Sequence, residues 1–267
     1  MRPALIAVDL DGTFLDDEKT VPDTNMEAVH RANELDIPFV VCTGRPSRWL
    51  AVIRKIPGLF PLVVASNGAE LYDMVGEKMR FVHHLNSELT VETIHALRAR
   101  IPGITFGVET QCCFPCEVDA PIQQFTDWNA VPGDIFQMIE LHQPIIKLLG
   151  FHHVLTSDEL VRLAKGAVSS ELALTHASMG EPFGLVEIAA AGINKATGLA
   201  DVCSLLGIDS TAVAAFGDMP NDLEMLAWAG RGFVMENAHQ LLHAAGFGRI
   251  GSNNDGSLGR KILELLA

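Results

Sequence analysis

The chain has 267 residues, 48% hydrophobic and 19% charged, which is enough apolar material for one large core or two modest ones. With 33 acidic residues against 19 Lys and Arg, its formal charge of −14 repels nucleic acid and anionic membrane surfaces, and no basic cluster is large enough to reverse that field. No apolar run approaches the roughly 20 residues that span a bilayer, and the opening MRPALIAVDLDGT turns acidic too soon for a signal peptide, so a cytoplasmic protein without nucleic-acid or membrane partners is expected. A small anionic substrate can still bind where a cation or a few basic groups invert the local potential.

Strand-like and helix-like segments alternate from the start. Residues 4–8 (ALIAV) read as a short buried strand, 22–36 as a helix opening at Pro22, 37–43 as a strand, 47–56 as a helix after Pro46, and 61–66 as a third strand. Such alternation predicts parallel strands covered by helices on both faces and joined by right-handed crossovers. From about residue 82 to 186 the texture changes: most histidines, scattered prolines, helices at 87–100 and 157–166, and short strands such as ITFGVE and IIKLLGF. The first grammar then returns, with helices at 195–208, 221–230 and 259–266 and strands at 211–217 and 232–236. The expected fold is α/β: a Rossmann-like parallel sheet built from residues 1–81 and 187–267, interrupted by an α+β insert over 82–186.

Five cysteines, an odd number with no export signal, argue for reduced thiols. Cys112, Cys113 and Cys116 form a CCxxC cluster, but structural zinc takes four ligands and no second Cys/His pair follows at finger spacing, so ordinary thiols are expected. Adjacent histidines on a strand face opposite ways, so His83-His84 and His152-His153 read as surface or satisfied side chains.

The first strand runs straight into Asp9-Leu10-Asp11-Gly12-Thr13. In open parallel sheets ligands sit beyond the carboxyl ends of strands, which is where these two carboxylates fall. Two residues apart, they can point the same way, and their repulsion is costly unless a cation or a shared proton intervenes. An Asp-Gly pair alone would be a solvated turn; what argues further is the company it keeps. Thr43, Gly44 and Arg45 follow the second strand and offer a hydroxyl, an approachable amide and a guanidinium, all suited to phosphate oxygens. Asp218, Asn221 and Asp222 follow a late strand around Pro220, too many polar groups for helix capping alone. Lys195 opens a helix and by itself would be a surface charge.

Taken in order, DLDGT, TGR, a single Lys before a helix and GDMPND resemble the four motifs of the haloacid dehalogenase superfamily of phosphohydrolases, and most closely its Cof-type branch, subclass IIB, with a C2 cap between the second and third motifs. SNGA at 66–69 and SNNDG at 252–256 are similar to that branch's substrate-side and terminal loops. The resemblance implies a phosphatase of small phosphorylated metabolites in which Asp9 attacks phosphorus and Asp11 protonates the leaving alcohol, a duty that calls for a raised pKa. It implies Mg2+ held by the Asp9 carboxylate, the Asp11 backbone carbonyl and Asp218, with Asp222 supporting from behind. It also implies that Thr43, the amides of Leu10 and Gly44, Lys195 and Asn221 surround the phosphoryl oxygens, with Arg45 and Asn67 reaching the rest of the substrate. A phosphomutase would use the same paired aspartates. A non-catalytic binding module is opposed by the complete set of nucleophile, acid, Lys and metal ligands, and a dehalogenase by the idle Asp11. Substrate choice is expected to lie in residues 82–186.

Overall fold

In the computed structural model, which describes residues 2–54, 56–124, 128–177 and 183–267, the chain divides into two compact units, Met1–Phe81 with Asn194–Ala267, and Val82–Ile193. The first unit begins with β1 (Leu5–Val8), α1 (Asp23–Glu34), β2 (Phe39–Val41), β3 (Leu62–Ala65), β4 (Glu70–Asp73) and β5 (Lys78–Val82). Ser47–Val52, expected to begin a regular helix reaching residue 56, is a 3-10 helix. Its buried anchors Leu50 and Ile53 lie three apart, the spacing that a three-residue turn brings onto one face.

The second unit comprises α2 (Ser87–Arg100), β6 (Thr105–Glu109), β7 (Phe114–Cys116), β8 (Ala130–Pro132), α3 (Ile135–Leu141), β9 (Lys147–His152), α4 (Ser157–Ala164), β10 (Leu172–Ala177) and β11 (Gly184–Ala190). Among the described residues its sheet has six strands in the order β10-β11-β9-β6-β7-β8, antiparallel except for the β7-β8 pair. Strand alternation gives it two faces. Phe106, Val108, Leu148, Val186 and Ile188 pack with Ile94, Leu97, Ile139 and Leu160 of the helices. On the opposite face Phe151 meets Phe114 and Trp128, and Lys147 pairs with Glu187 at 3.1 Å. The expected boundary at 186/187 therefore shifts to 193/194. Residues 187–190 complete β11, whose hydrogen bonds to β9 and β10 hold them in this sheet.

The chain then returns with α5 (Lys195–Leu206), β12 (Val213–Gly217), α6 (Leu223–Trp228), β13 (Arg231–Val234), α7 (Gln240–Ala244), β14 (Gly248–Arg249) and α8 (Ser257–Leu266). Its parallel sheet runs β14-β13-β12-β1-β2, with Ile6 beside both Ala214 and Phe39. Alternation along β1 explains why all four residues are apolar. Ile6 and Val8 enter one core with Phe39, Val41 and Phe216 under α1 and α8, whereas Leu5 and Ala7 enter another with Val40, Val213 and Ala215 under α5 and α6. Because β1, β2 and β12 run the same way, Asp9, Thr43 and Asp218 all leave the sheet at one edge. Among the described residues no helix is long and apolar enough to cross a membrane.

Candidate active site

At that edge Lys195, the first residue of α5, is buried and joins two carboxylates: Nζ donates to Asp9 Oδ1 at 2.5 Å and to Asp222 Oδ1 at 2.6 Å. The surface role that a lone Lys suggests is excluded by this burial. Burial works against its charge, but Asp222 and then Asp9 outweigh it and raise the ammonium above its ordinary value. Asp222 Oδ2 accepts the backbone N–H groups of Asp218 and Met219, both at 3.0 Å. That geometry explains why the expected helix at 221–230 starts with a 3-10 turn, Pro220–Asp222, before α6. Thr13, part of the DLDGT motif but given no role there, donates from Oγ1 to Asp218 Oδ1 at 2.9 Å. Gly12 is required here: its φ is +79°, and a Cβ would meet Asp218 Oδ2 at 2.4 Å.

One oxygen from each of Asp9, Asp218 and Asp222 lies within 4.8 Å of the others. Three buried carboxylates with a single Lys between two of them leave excess negative charge. Burial first, countered by Lys195 and reinforced by Asp222 and Asp11, pushes Asp9 up to about 7. Burial, then the charges of Asp9 and Asp222, likewise raises Asp218 well above the carboxylate range. Hard oxygen donors whose ionised forms repel one another fit a hard divalent cation. The geometric triad contains Asp222 where the family resemblance has the Asp11 carbonyl. Both Asp222 oxygens are already engaged, one by Lys195 and one by two amides, which suits a supporting position.

Asp11 turns away from this cluster. Arg45 grips it with Nε and Nη2, both at 2.6 Å, and Lys19 adds a third contact at 2.9 Å. Burial pushes Asp11 upward, but the hydrogen bond and charge of Arg45, joined by Lys19, outweigh it and hold the carboxyl below its ordinary value. The expected raised pKa is therefore not found in this state, and Arg45 is the reason. Lys19, at φ +61°, had no signal in the sequence beyond its charge.

Thr43, Gly44, Asn67 and Asn221 meet around a left-handed turn. Ser66, Asn67 and Gly68 all have positive φ, at 49°, 56° and 93°. Such backbone persists in non-glycine residues only where its surroundings fix it. Here Ser66 N–H donates to the Arg45 carbonyl at 2.9 Å, Asn67 N–H to the Thr43 carbonyl at 3.0 Å, and Asn221 Nδ2 to Asn67 Oδ1 at 2.9 Å. Buried Glu70 clamps both sides, accepting from Ser66 Oγ at 2.5 Å, Ser47 Oγ at 3.0 Å and Ser47 N–H at 3.1 Å. Gly44 sits beneath: a Cβ there would lie 3.2 Å from Asn67 Oδ1 and 3.5 Å from Asn221 Nδ2. Leu10 is buried, with its carbonyl taken by Phe14 and Leu15. Sequence reading missed Glu70 because an acidic residue followed by Leu-Tyr-Asp carries no sign of burial.

A family profile described as haloacid dehalogenase-like hydrolase matches residues 6–262. The Escherichia coli protein named 5-amino-6-(5-phospho-D-ribitylamino)uracil phosphatase YbjI is 31% identical over 262 residues, covering 95% of this chain and 93% of that protein. The Bacillus subtilis protein named 5-amino-6-(5-phospho-D-ribitylamino)uracil phosphatase YitU is 28% identical over 251 residues, covering 88% and 87%. A solved structure described as the HAD subclass IIB sugar phosphatase BT4131 superposes with a TM-score of 0.82 at 19% identity, covering 97% of this chain and 98% of that one, a likeness of fold. With motifs that run in order through the matched length, the chain belongs to the haloacid dehalogenase-like hydrolases, among their phosphatases.

Proposed function

We propose that the protein hydrolyses small phosphate monoesters through a phospho-aspartyl intermediate on Asp9, with Mg2+ as cofactor. The observation that carries this reading is the buried Lys195 joining Asp9 to Asp222 beside Asp218, four charged groups that converge at one strand edge. Asp9 attacks phosphorus as the bond to the leaving oxygen breaks, and Asp11 supplies that oxygen's proton; Asp11 then takes a proton from the water that displaces phosphate from Asp9. Lys195, Asn221, Thr43 and the amides of Leu10 and Gly44 hold the phosphoryl oxygens during both steps. Asp9 and Asp218, with the Asp11 carbonyl, would hold the cation and Asp222 would support them; when bound, the cation would supply positive charge against that of the transferring group.

Arg45 connects binding to proton transfer. A substrate anion competes with Asp11 for the guanidinium, and once Arg45 leaves, the larger of the two interactions that keep Asp11 ionised is gone and only that of Lys19 remains. We assign substrate selection to the second unit, in the role of a cap, with Asn67 contributing from the first. The phosphoribitylamino-uracil named for the two relatives is the first compound to test, followed by sugar phosphates. The test of the reading is turnover of p-nitrophenyl phosphate. Chelation should abolish it, Mg2+ should restore it, and Ca2+, with longer and looser coordination, should restore it poorly. Undiminished turnover after exhaustive chelation overturns the metal-dependent mechanism.

A further inference from the structure

The terminal loop at residues 252–256, singled out by its SNNDG sequence, takes no part in the proposed phosphoryl chemistry, yet folding ties it to the turn after β1. Three carbonyls along that turn each accept a hydrogen bond from an asparagine amide of a different segment. Asn237 Nδ2, from the loop after β13, donates to the Gly12 carbonyl at 2.8 Å; Asn25 Nδ2, from α1, to that of Phe14 at 2.9 Å; and Asn253 Nδ2, from the terminal loop, to that of Leu15 at 3.1 Å. Asn253 Nδ2 also reaches Asp17 Oδ1 at 3.1 Å. Asn254 meets the same residue twice, donating to Oδ2 at 2.9 Å and accepting its N–H at 3.0 Å. Asn25 and Asn253 are buried, where an amide is tolerated only when its polar atoms are bonded.

An asparagine suits these positions because its amide both donates and accepts, so one side chain can take a carbonyl from one segment and an N–H from another. Asn237 Oδ1 accepts the Asn253 N–H at 3.1 Å while its Nδ2 holds Gly12, and Asn25 Oδ1 accepts the Gly259 N–H of α8 at 2.8 Å while its Nδ2 holds Phe14. The loop that supplies Asn253 is itself fixed. The carbonyl of Gly256, at φ +71°, accepts from Thr24 Oγ1 at 3.1 Å, and a Cβ on that glycine would collide with the same hydroxyl. The turn held in this way carries Asp11: Gly12 follows it, Leu15 forms a β-bridge with it, and Asp17 lies two residues before Lys19, whose ammonium contacts its carboxyl. We propose, resting on the assignment of Asp11 as proton donor, that Asn237 and Asn253 are positioning residues of the phosphatase. They fix the turn so that the Asp11 carboxyl meets the leaving oxygen once Arg45 yields, and neither touches substrate. The terminal motif thereby gains a function in a reaction whose atoms it never reaches.

Leaving-group dependence tests this role, because a fold that is merely loosened loses activity on all esters alike. Phenyl phosphate and p-nitrophenyl phosphate differ little in size, but phenolate needs a proton to depart far more than p-nitrophenolate does. In the full-length protein assayed with Mg2+, Asn237→Ala and Asn253→Ala should each lower kcat/KM for phenyl phosphate by about tenfold, part of the roughly 10² to 10⁴ that proton transfer is worth, and for p-nitrophenyl phosphate by less than about threefold. Adding either substitution to Asp11→Asn should cost less than about twofold more, whereas the effects of independent sites multiply. Asn237 is exposed, so its variant keeps the fold even where loss of the buried Asn253 does not. Losses that are absent, equal on the two esters, or multiplied in the Asp11→Asn background overturn the positioning role. An Asp11→Asn protein that shows no bias between the esters overturns the acid assignment together with it, whereas a bias in Asp11→Asn alone overturns only the positioning role.

Discussion

A carboxylate buried as deeply as Asp9, next to two others, makes the metal-free protein sensitive to pH in a direction that can be worked out. Its value rises from 3.8 to about 7 on folding, first through burial. Between these limits the native state holds a proton that the unfolded chain has released, so stability falls as pH rises through the window. Carboxyls lowered by partners, such as Asp11 and Asp73, act oppositely: their contribution is complete above the ordinary carboxylate value and is lost only as pH falls below it. They leave the range from about pH 5 to 7 flat. Thermal midpoints of chelated protein should therefore drop between pH 5 and 7.5, with Asp218, raised by the same burial, adding to the drop, and Asp9→Asn should make it smaller. Equal slopes for the two proteins would show that Asp9 is not the titrating group. Bound Mg2+ should counter the drop, since it favours the ionised carboxylates.

At the scale of elements, the turn after β3 transmits position between distant motifs. Gly68, at φ +93°, lies so close to the start of α5 that a Cβ would sit 2.1 Å from the Asn194 carbonyl. Gly68→Ala must push back the residue that precedes Lys195, and overpacking of this kind costs about 1–3 kcal/mol. We expect a lower denaturant midpoint together with a fall in kcat that exceeds any rise in KM, because Lys195 is displaced from Asp9. An alanine variant with wild-type kcat would separate the turn from the site. The strands that carry the motifs were legible in the sequence because burial on both faces demands unbroken apolar runs, as in residues 5–8 and 213–216. β4 was not, since Glu70 and Asp73 are acidic yet buried, and Ser47 and Ser66, close in space, help make the burial of Glu70 tolerable. The end of the insert was misplaced because the pairing of β11 with β9 is a long-range fact. The same limit hid Lys19 and the partner of Thr13, both set by the turn after β1.

Over the whole molecule, the two compact units divide the chemistry unevenly. Every motif residue of the proposed phosphoryl-transfer site falls within residues 1–81 and 194–267. Magnesium binding should therefore stabilise that unit directly, by about 2.7 kcal/mol at a concentration one hundred times Kd. Hydrogen exchange followed with and without Mg2+ should show slower exchange in β1, β12 and the start of α5, and little change in β6, β9 and β11. Protection confined to residues 82–193 would place the cation elsewhere.

The assignment of Asp9 as nucleophile is the claim on which the mechanism turns, and trapping the acyl phosphate tests it most directly. Asp11→Asn keeps the attacking carboxylate but loses proton transfer, a loss of roughly 10² to 10⁴ in rate. Given a labelled acyl phosphate, whose leaving group needs little protonation, this variant should accumulate label that an acid quench preserves. Peptide mass should locate the phosphate on Asp9, and Asp9→Asn should carry none and turn over nothing. Phosphate on Asp11, or wild-type turnover by Asp9→Asn, would contradict the assignment.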